Sequence, residues 1–169
     1  MTGNAVQNDE AKRQQRSWNM SRVRSKDTSL EKHVRSWLWR EGFRFRKNVK
    51  RLPGCPDIVL PKYKTIIDVR GCFWHRHPNC AIATMPKSNS AFWWKKFNQN
   101  VNRDLETEKA LAALGWRVLV VWECELHGDT AEKTFERIRD ALLNYDDGTF
   151  QYEATSVAEE PMGYGIPEK

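Results

Sequence analysis

A chain of 169 residues has room for one hydrophobic core and hardly for two. Its 40% hydrophobic content excludes wholesale disorder, its longest apolar run (Val118 to Trp122) cannot span a membrane, and its polar first residues point to a soluble, cytoplasmic protein. The net charge is +6, but residues 1–60 carry 14 basic and 6 acidic side chains while residues 151–169 carry four Glu and one Lys, a polarity that suits a polyanionic partner met by the front of the molecule.

Residues 1–16 are polar and charged without apolar periodicity and are expected to form a mobile basic arm. Thr28-Ser29-Leu30-Glu31 reads as a capping box, and Leu30, Val34, Trp37 and Leu38 continue at helical spacing until Gly42. Phe43 to Val49 alternates apolar and basic residues like a half-buried strand. After the turn Leu52-Pro53-Gly54, Asp57 to Leu60 and Thr65 to Val69 read as a hairpin around Pro61-Lys62. Gly71 to Cys80, crowded with Cys, His and aromatic residues, reads as a loop. Asn89 or Ser90 can cap a long helix with Trp93, Phe97, Val101 and Leu105 at every fourth residue, ending at Gly115. Trp116 to Trp122 reads as a buried strand too apolar for an edge, and Ala131 to Leu143 as an amphipathic helix with Phe135, Ile138 and Leu142 on one face. The Gly- and Pro-containing tail after Asp146 is expected to be flexible. Strands interleaved with helices in this order predict an α/β fold, a mixed sheet with helices on its faces.

Three groups of residues carry chemistry. Pro56-Asp57 precedes Asp68-Val69-Arg70 by ten residues, and strand alternation puts Asp68 and Arg70 on one face. A hairpin can bring Asp57 beside them, and two neighbouring carboxylates favour a hard divalent cation such as Mg²⁺, which phosphodiester cleavage uses to polarise the phosphate. The pattern resembles the Pro-Asp…Asp/Glu-x-Lys signature of restriction-type nucleases, with Arg in the Lys place; by itself it also fits a turn Asp and a surface ion pair.

Cys72, His77, Cys80 and Cys124 make a Cys₃His set for structural zinc, since Cys72 and Cys124 each follow a predicted strand and the other two share a short loop. His75 is left over, beside the carboxylate strand and able to act as a base near neutral pH. Phe73, Trp74 and Trp93 are aromatics among cations. Phe92, Trp93 and Trp94 are consecutive and cannot all face one core, whereas Phe97 suits the core. Lys96, Asn100, Arg103 and Asp104 share roughly one helix face and suit phosphate contacts.

These residues resemble the very-short-patch repair (Vsr) mismatch endonucleases. The matching segments are Arg16-Ser17-Trp18-Asn19-Met20-Ser21, Lys26-Asp27-Thr28 with Glu31, Leu52-Pro53-Gly54-Cys55-Pro56-Asp57, Gly71-Cys72-Phe73-Trp74-His75, Trp93 with Lys96, Asn100-Val101-Asn102-Arg103-Asp104, and Gly115-Trp116-Arg117-Val118 on to Trp122-Glu123-Cys124. The resemblance implies a restriction-endonuclease-like fold over residues 17–148, with the arm at 1–16 and the tail at 149–169. It implies a Mg²⁺-dependent nick 5′ of the T in a T·G mismatch produced by 5-methylcytosine deamination. It implies Mg²⁺ on Asp57 and the main-chain carbonyl of Val69, His75 as general base, and Glu31 near the metal's waters. It also matches Cys72, His77, Cys80 and Cys124 to zinc ligands (one residue is inserted between His77 and Cys80), Phe73, Trp74 and Trp93 to aromatics that wedge into DNA, and Met20 to a residue entering from the opposite groove. The expected partners are mismatched duplex DNA near the nucleoid and mismatch-repair proteins, with the enzyme acting as a monomer.

Two departures matter. Val69-Arg70 stands where the family has Thr-His, so Asp68, through a metal water, or Arg70, by stabilising charge on the phosphate, is expected to take over part of the lost imidazole's work. Cys55 stands where a basic residue is usual and is expected to be a bystander. A catalytically weak mismatch-binding module and a nickase with relaxed specificity against foreign DNA are the competing readings.

Overall fold

The computed structural model describes residues 26–145, together with Gln14, Gln15 and Trp18. Most of the expected arm, Met20 and the tail from 146 onward lie outside the described residues.

The first helix, α1 (Ser29–Arg40), begins at the predicted box: the Thr28 hydroxyl accepts from the Glu31 N–H, and the Glu31 carboxylate accepts from the Thr28 N–H. Four strands follow, β1 (Arg46–Lys47), β2 (Ile58–Leu60), β3 (Thr65–Arg70) and β4 (Arg117–Trp122), side by side in the order β1-β2-β3-β4. The first two pairings are antiparallel and β3–β4 is parallel. Between β3 and β4 run a single helical turn, α2 (Cys72–His75), and the long α3 (Ser90–Ala113); α4 (Thr130–Leu143) closes the described chain. This is a mixed sheet flanked by helices, consistent with a restriction-endonuclease-like fold.

Strand alternation divides the core. Ile58, Leu60, Ile67 and Val121 pack with Val34, Trp37 and Leu38 of α1 and Phe135, Ile138 and Leu142 of α4. Val59 and Ile66 face the other way and pack with Leu111 of α3. Asp68 and Arg70 share the parity of Ile66, so they belong to the α3 side of the sheet, and there the chemistry collects.

Four sequence expectations need correction. The strand at 43–49 shrinks to Arg46–Lys47, because Phe43 is drawn into the core against Trp37 and Tyr63, and Asn48 adopts a left-handed φ of 49° that breaks the ladder. The loop after Gly71 starts as helix, its first turn closed by the Gly71 carbonyl accepting from the Trp74 and His75 N–H groups.

The strand at 117–122 is an edge strand in which Val121 alone is buried; the Arg137 guanidinium of α4 donates to the Val120 carbonyl, and Arg117 bonds Thr65 Oγ1 and the Ala141 carbonyl, so a helix stands over the open edge. On α3, every-fourth-residue spacing drifts off the core because a turn holds 3.6 residues: Leu105 is exposed, and the buried line is Phe97, Asn100, Asp104 and Leu111. Asn89 does sit at the cap position of α3, without a side-chain cap bond.

Candidate active site and metal centre

Register builds the site. Ile58 opposes Ile67, so one step further Asp57 falls opposite Asp68 on the same face. In the parallel pair Arg70 lies beside Trp122, so Cys72 and Cys124, two residues beyond each, emerge together. Both events occur at one end of the sheet, against α3, around a cleft of about 870 Å³. Glu31, Asp57, Asp68, Val69, Phe73, Trp74, His75, Lys96, Asn100 and Arg103 all line it. These ten residues, from four separate segments of the sequence, therefore share one cavity, whose lining does not include Arg70 or Trp93.

The cleft floor is acidic. Burial, and then the carboxylates of Glu31 and Asp68, push Asp57 up to about 7, despite opposing fields from Arg35 and His75. Glu31 is buried; besides capping α1 it accepts from the Asp27 N–H and pairs with Arg35 at 3.6 Å. Burial and the neighbouring carboxylates thus both disfavour the bare charge on Asp57, and oxygen donors of this kind are what a hard cation takes.

The turn that delivers Asp57 depends on Gly54. It has a φ of 70°, and a Cβ there would overlap the Thr107 Cγ2 on α3. Gly54→Ala is therefore expected to cost about 1–3 kcal/mol of stability and to slow any Asp57-dependent chemistry, read together from melting curves and turnover.

His75 ends the short α2 turn. Its Nδ1–H donates to Asp104 Oδ2 at 2.5 Å, and Asp104 is buried on α3. In the neutral ring that pairing leaves Nε2 as the nitrogen able to accept a proton. Asn100 Nδ2 donates to the Trp74 carbonyl at 3.0 Å, so its amide holds the loop instead of facing a phosphate. Lys96 and Arg103 keep their exposed positions on the cleft rim. Glu123, unnoticed in the sequence, accepts from the Cys72 N–H at 3.1 Å and fixes the start of α2.

The signal for Asp104 was present: Asn100 and Asp104 interrupt the same helical stripe as Phe97 and Leu111, and polar residues on a buried line are there to bond something.

Arg70 lies behind the cleft. It is buried, paired with Asp68 at 2.7 Å and Glu108 at 2.5 Å, and set over the Trp122 ring. The expectation that its guanidinium meets a phosphate gives way to a tether: one cation neutralises two carboxylates and aims Asp68 at the cleft. Phe73, Trp74 and Trp93 are half-buried rings in contact with one another, Phe73 and Trp93 both resting on the buried Phe97.

Beside them Cys72, His77, Cys80 and Cys124 gather with their ligand atoms all within 4.8 Å of one another. His77 Nε2 is 3.3 Å from Cys72 Sγ and 3.4 Å from Cys124 Sγ. A zinc ion with bonds of about 2.3 Å to sulfur spans tetrahedral edges of about 3.8 Å, so the group fits zinc. Burial, with the neighbouring thiols, pushes Cys72 up to about 12 when no metal draws off its proton. Cys55 lies apart from this group, on the cleft wall.

Comparison with known proteins agrees with this geometry. The family model described as DNA mismatch endonuclease Vsr matches residues 8–81. The chain is 50% identical over 111 residues to the type II nicking enzyme V.NmeAIP of Neisseria meningitidis, covering 66% of this chain and 79% of the relative. It is 51% identical over 113 residues to the type II nicking enzyme V.XorIIP of Xanthomonas oryzae, covering 67% and 82%. Against the DNA mismatch endonuclease Vsr of Escherichia coli it is 41% identical over 128 residues, covering 74% and 81%. Among the described residues no helix is long and apolar enough to cross a membrane.

Proposed function

From the premise that this chain belongs to the Vsr family and is a DNA endonuclease of that type, we propose that it nicks one strand of duplex DNA 5′ of the T in a T·G mismatch, with Mg²⁺ as its catalytic ion and zinc as a structural one. The observation that supports this most is the shared cleft of Asp57 and His75, a cation-seeking carboxylate and an imidazole with a free nitrogen.

Asp57 and the Val69 carbonyl would hold the Mg²⁺. When bound, that ion supplies Lewis-acid polarisation of the scissile phosphate. Glu31 and Asp68 extend the carboxylate wall on either side of Asp57. His75 Nε2 takes the proton from the attacking water, and Asp104 is its positioning residue: it keeps the proton on Nδ1 and stabilises the imidazolium that forms. Phe73, Trp74 and Trp93 present ring edges beside the cleft and unstack the mispaired step, where pairing is already weakest. Lys96 and Arg103 take phosphates at the rim. Met20, outside the described residues, is assigned to the opposite groove. The zinc-bound loop keeps Trp74 and His75 in register, and a monomer suffices for a single-strand nick.

Removing the base and removing its orienter should give losses of different size. His75→Ala is expected to lower the single-turnover rate about 10²–10⁴-fold. Asp104→Asn, which leaves the imidazole in place, is expected to lower it by a smaller factor. Single-turnover rates on one T·G duplex check both.

The reading itself is tested by incubating the protein with T·G, other mismatched and matched duplexes, with Mg²⁺ or with EDTA. A nick confined to T·G and to Mg²⁺ supports it. Binding without a nick would indicate a recognition module, and cutting of every duplex a relaxed nickase.

A further inference from the structure

The cleft floor raises a problem for a protein that must hold a polyanion: Glu31, Asp57, Asp68, Asp104, Glu108 and Glu123 all line it. Each phosphate brought over those carboxylates is repelled unless cations stand outside them. Lys96 and Arg103 of α3 do so. The turn Pro53–Pro56 also lines the cleft, with Gly54 against Thr107 of α3, and the chain leading into that turn is unusually basic. Residues 44–51 contain Arg44, Arg46, Lys47, Lys50 and Arg51, all exposed, and no acid.

This run is anchored to the site. The Asn48 N–H donates to the Asp57 carbonyl and the Val49 N–H to the Pro56 carbonyl, so the basic segment is fastened to the residues that deliver the catalytic carboxylate. Its core contacts come from Phe45 and Val49 and leave the basic side chains outside. The strand β1 is outermost in the sheet and both its residues are exposed. Neighbouring strand residues point to opposite faces, so Arg46 and Lys47 set a cation on each side of the edge. Arg44 lies over the Trp39 ring; Arg46, Lys47, Lys50 and Arg51 make no ion pair among the described residues.

We propose that Arg46, Lys47, Lys50 and Arg51 form a rail for the phosphates of the duplex flanking the nicked step, binding DNA without regard to sequence and adding to the contacts of Lys96 and Arg103. This rests on the reading of the chain as a DNA endonuclease and adds where the duplex runs. The rival role for such residues is protection of an exposed sheet edge from pairing with other chains, which charged side chains also provide.

The test combines Arg46→Gln, Lys47→Gln, Lys50→Gln and Arg51→Gln in the full chain, leaving the cleft untouched. Affinity for a T·G duplex and for a matched duplex of equal length is measured without Mg²⁺ between 50 and 200 mM salt. Each lost phosphate contact lowers the slope of log affinity against log salt by about 0.9, so a fall of about 3 is expected, with at least about tenfold weaker binding at 100 mM for both duplexes alike. An unchanged slope, with or without aggregation of the variant, overturns the rail and leaves edge protection; weakening confined to the mismatched duplex overturns it too. A parent that binds but never nicks counts against the endonuclease reading, while a lowered slope in the variant still supports the rail.

Discussion

Asp57→Asn is expected to abolish nicking and, in the same protein, to stabilise the metal-free fold above pH 7. The first effect follows from losing the carboxylate that holds the Mg²⁺: polarisation worth several kcal/mol disappears, a rate loss of at least about 10³-fold. The second follows from linkage. Asp57 stands at about 7 in the folded chain against an ordinary 3.8, so between those values the folded state keeps a proton that the unfolded state has released. Stability from this group is complete below about 3.8, declines as the pH rises through about 7, and is absent above it. Asparagine carries no charge to bury and escapes that decline. Melting curves of zinc-loaded protein in buffer without Mg²⁺, at pH 5 and pH 8, should show the parent losing more stability than the variant, and added Mg²⁺ should rescue the parent alone at pH 8. A variant that melts below the parent at pH 8, or that still nicks, contradicts the assignment.

Removing zinc is expected to act on the fold where removing Mg²⁺ acts on the chemistry. Cys72 and Cys124 follow neighbouring parallel strands, and His77 and Cys80 lie on the connection to α3, so one ion would join the sheet end to the loop that carries Trp74 and His75. Structural zinc sites contribute about 10–16 kcal/mol in small peptides, comparable to the whole stability of a domain. Even a fifth of that, about 3 kcal/mol, lowers the melting temperature by about 10 °C in a domain of this size. Cys124→Ser, or a strong zinc chelator, should therefore lower the melting temperature by that much or more and abolish nicking beyond rescue by Mg²⁺. At pH 5, where Asp57 keeps its proton, stripping Mg²⁺ should leave the melting curve close to that of the zinc-loaded protein. A Cys124→Ser protein that folds and nicks normally would show that the thiols serve no metal.

What the sequence made legible depended on short-range regularity. The box at Thr28 and Glu31, the hairpin around Pro61 and the placement of Cys72 and Cys124 beyond two strands all follow from local pattern, and the observed register agrees with each. What escaped depended on which partner a charged residue finds across the fold. Arg70 could have met a phosphate; it meets Glu108, 38 residues away, and Asp68. Asp104 was grouped with surface cations until helix geometry turned it inward to His75, and Glu123 gave no sign that it would cap the turn at Cys72. Trp116 to Trp122 looked too apolar for an edge because the guanidinium that covers it comes from α4, which strand composition does not reveal.

Nicking by the proposed mechanism requires a cation at Asp57 within reach of the imidazole of His75. Anomalous diffraction from crystals soaked in Mn²⁺, an oxygen-seeking stand-in for Mg²⁺, locates that cation directly. The expected result is a peak bound by the Asp57 carboxylate and the Val69 carbonyl, in the cleft that His75 faces, and its loss in Asp57→Asn. A protein that nicks with Mn²⁺ but carries the ion elsewhere, with Asp57 left free, would contradict the account.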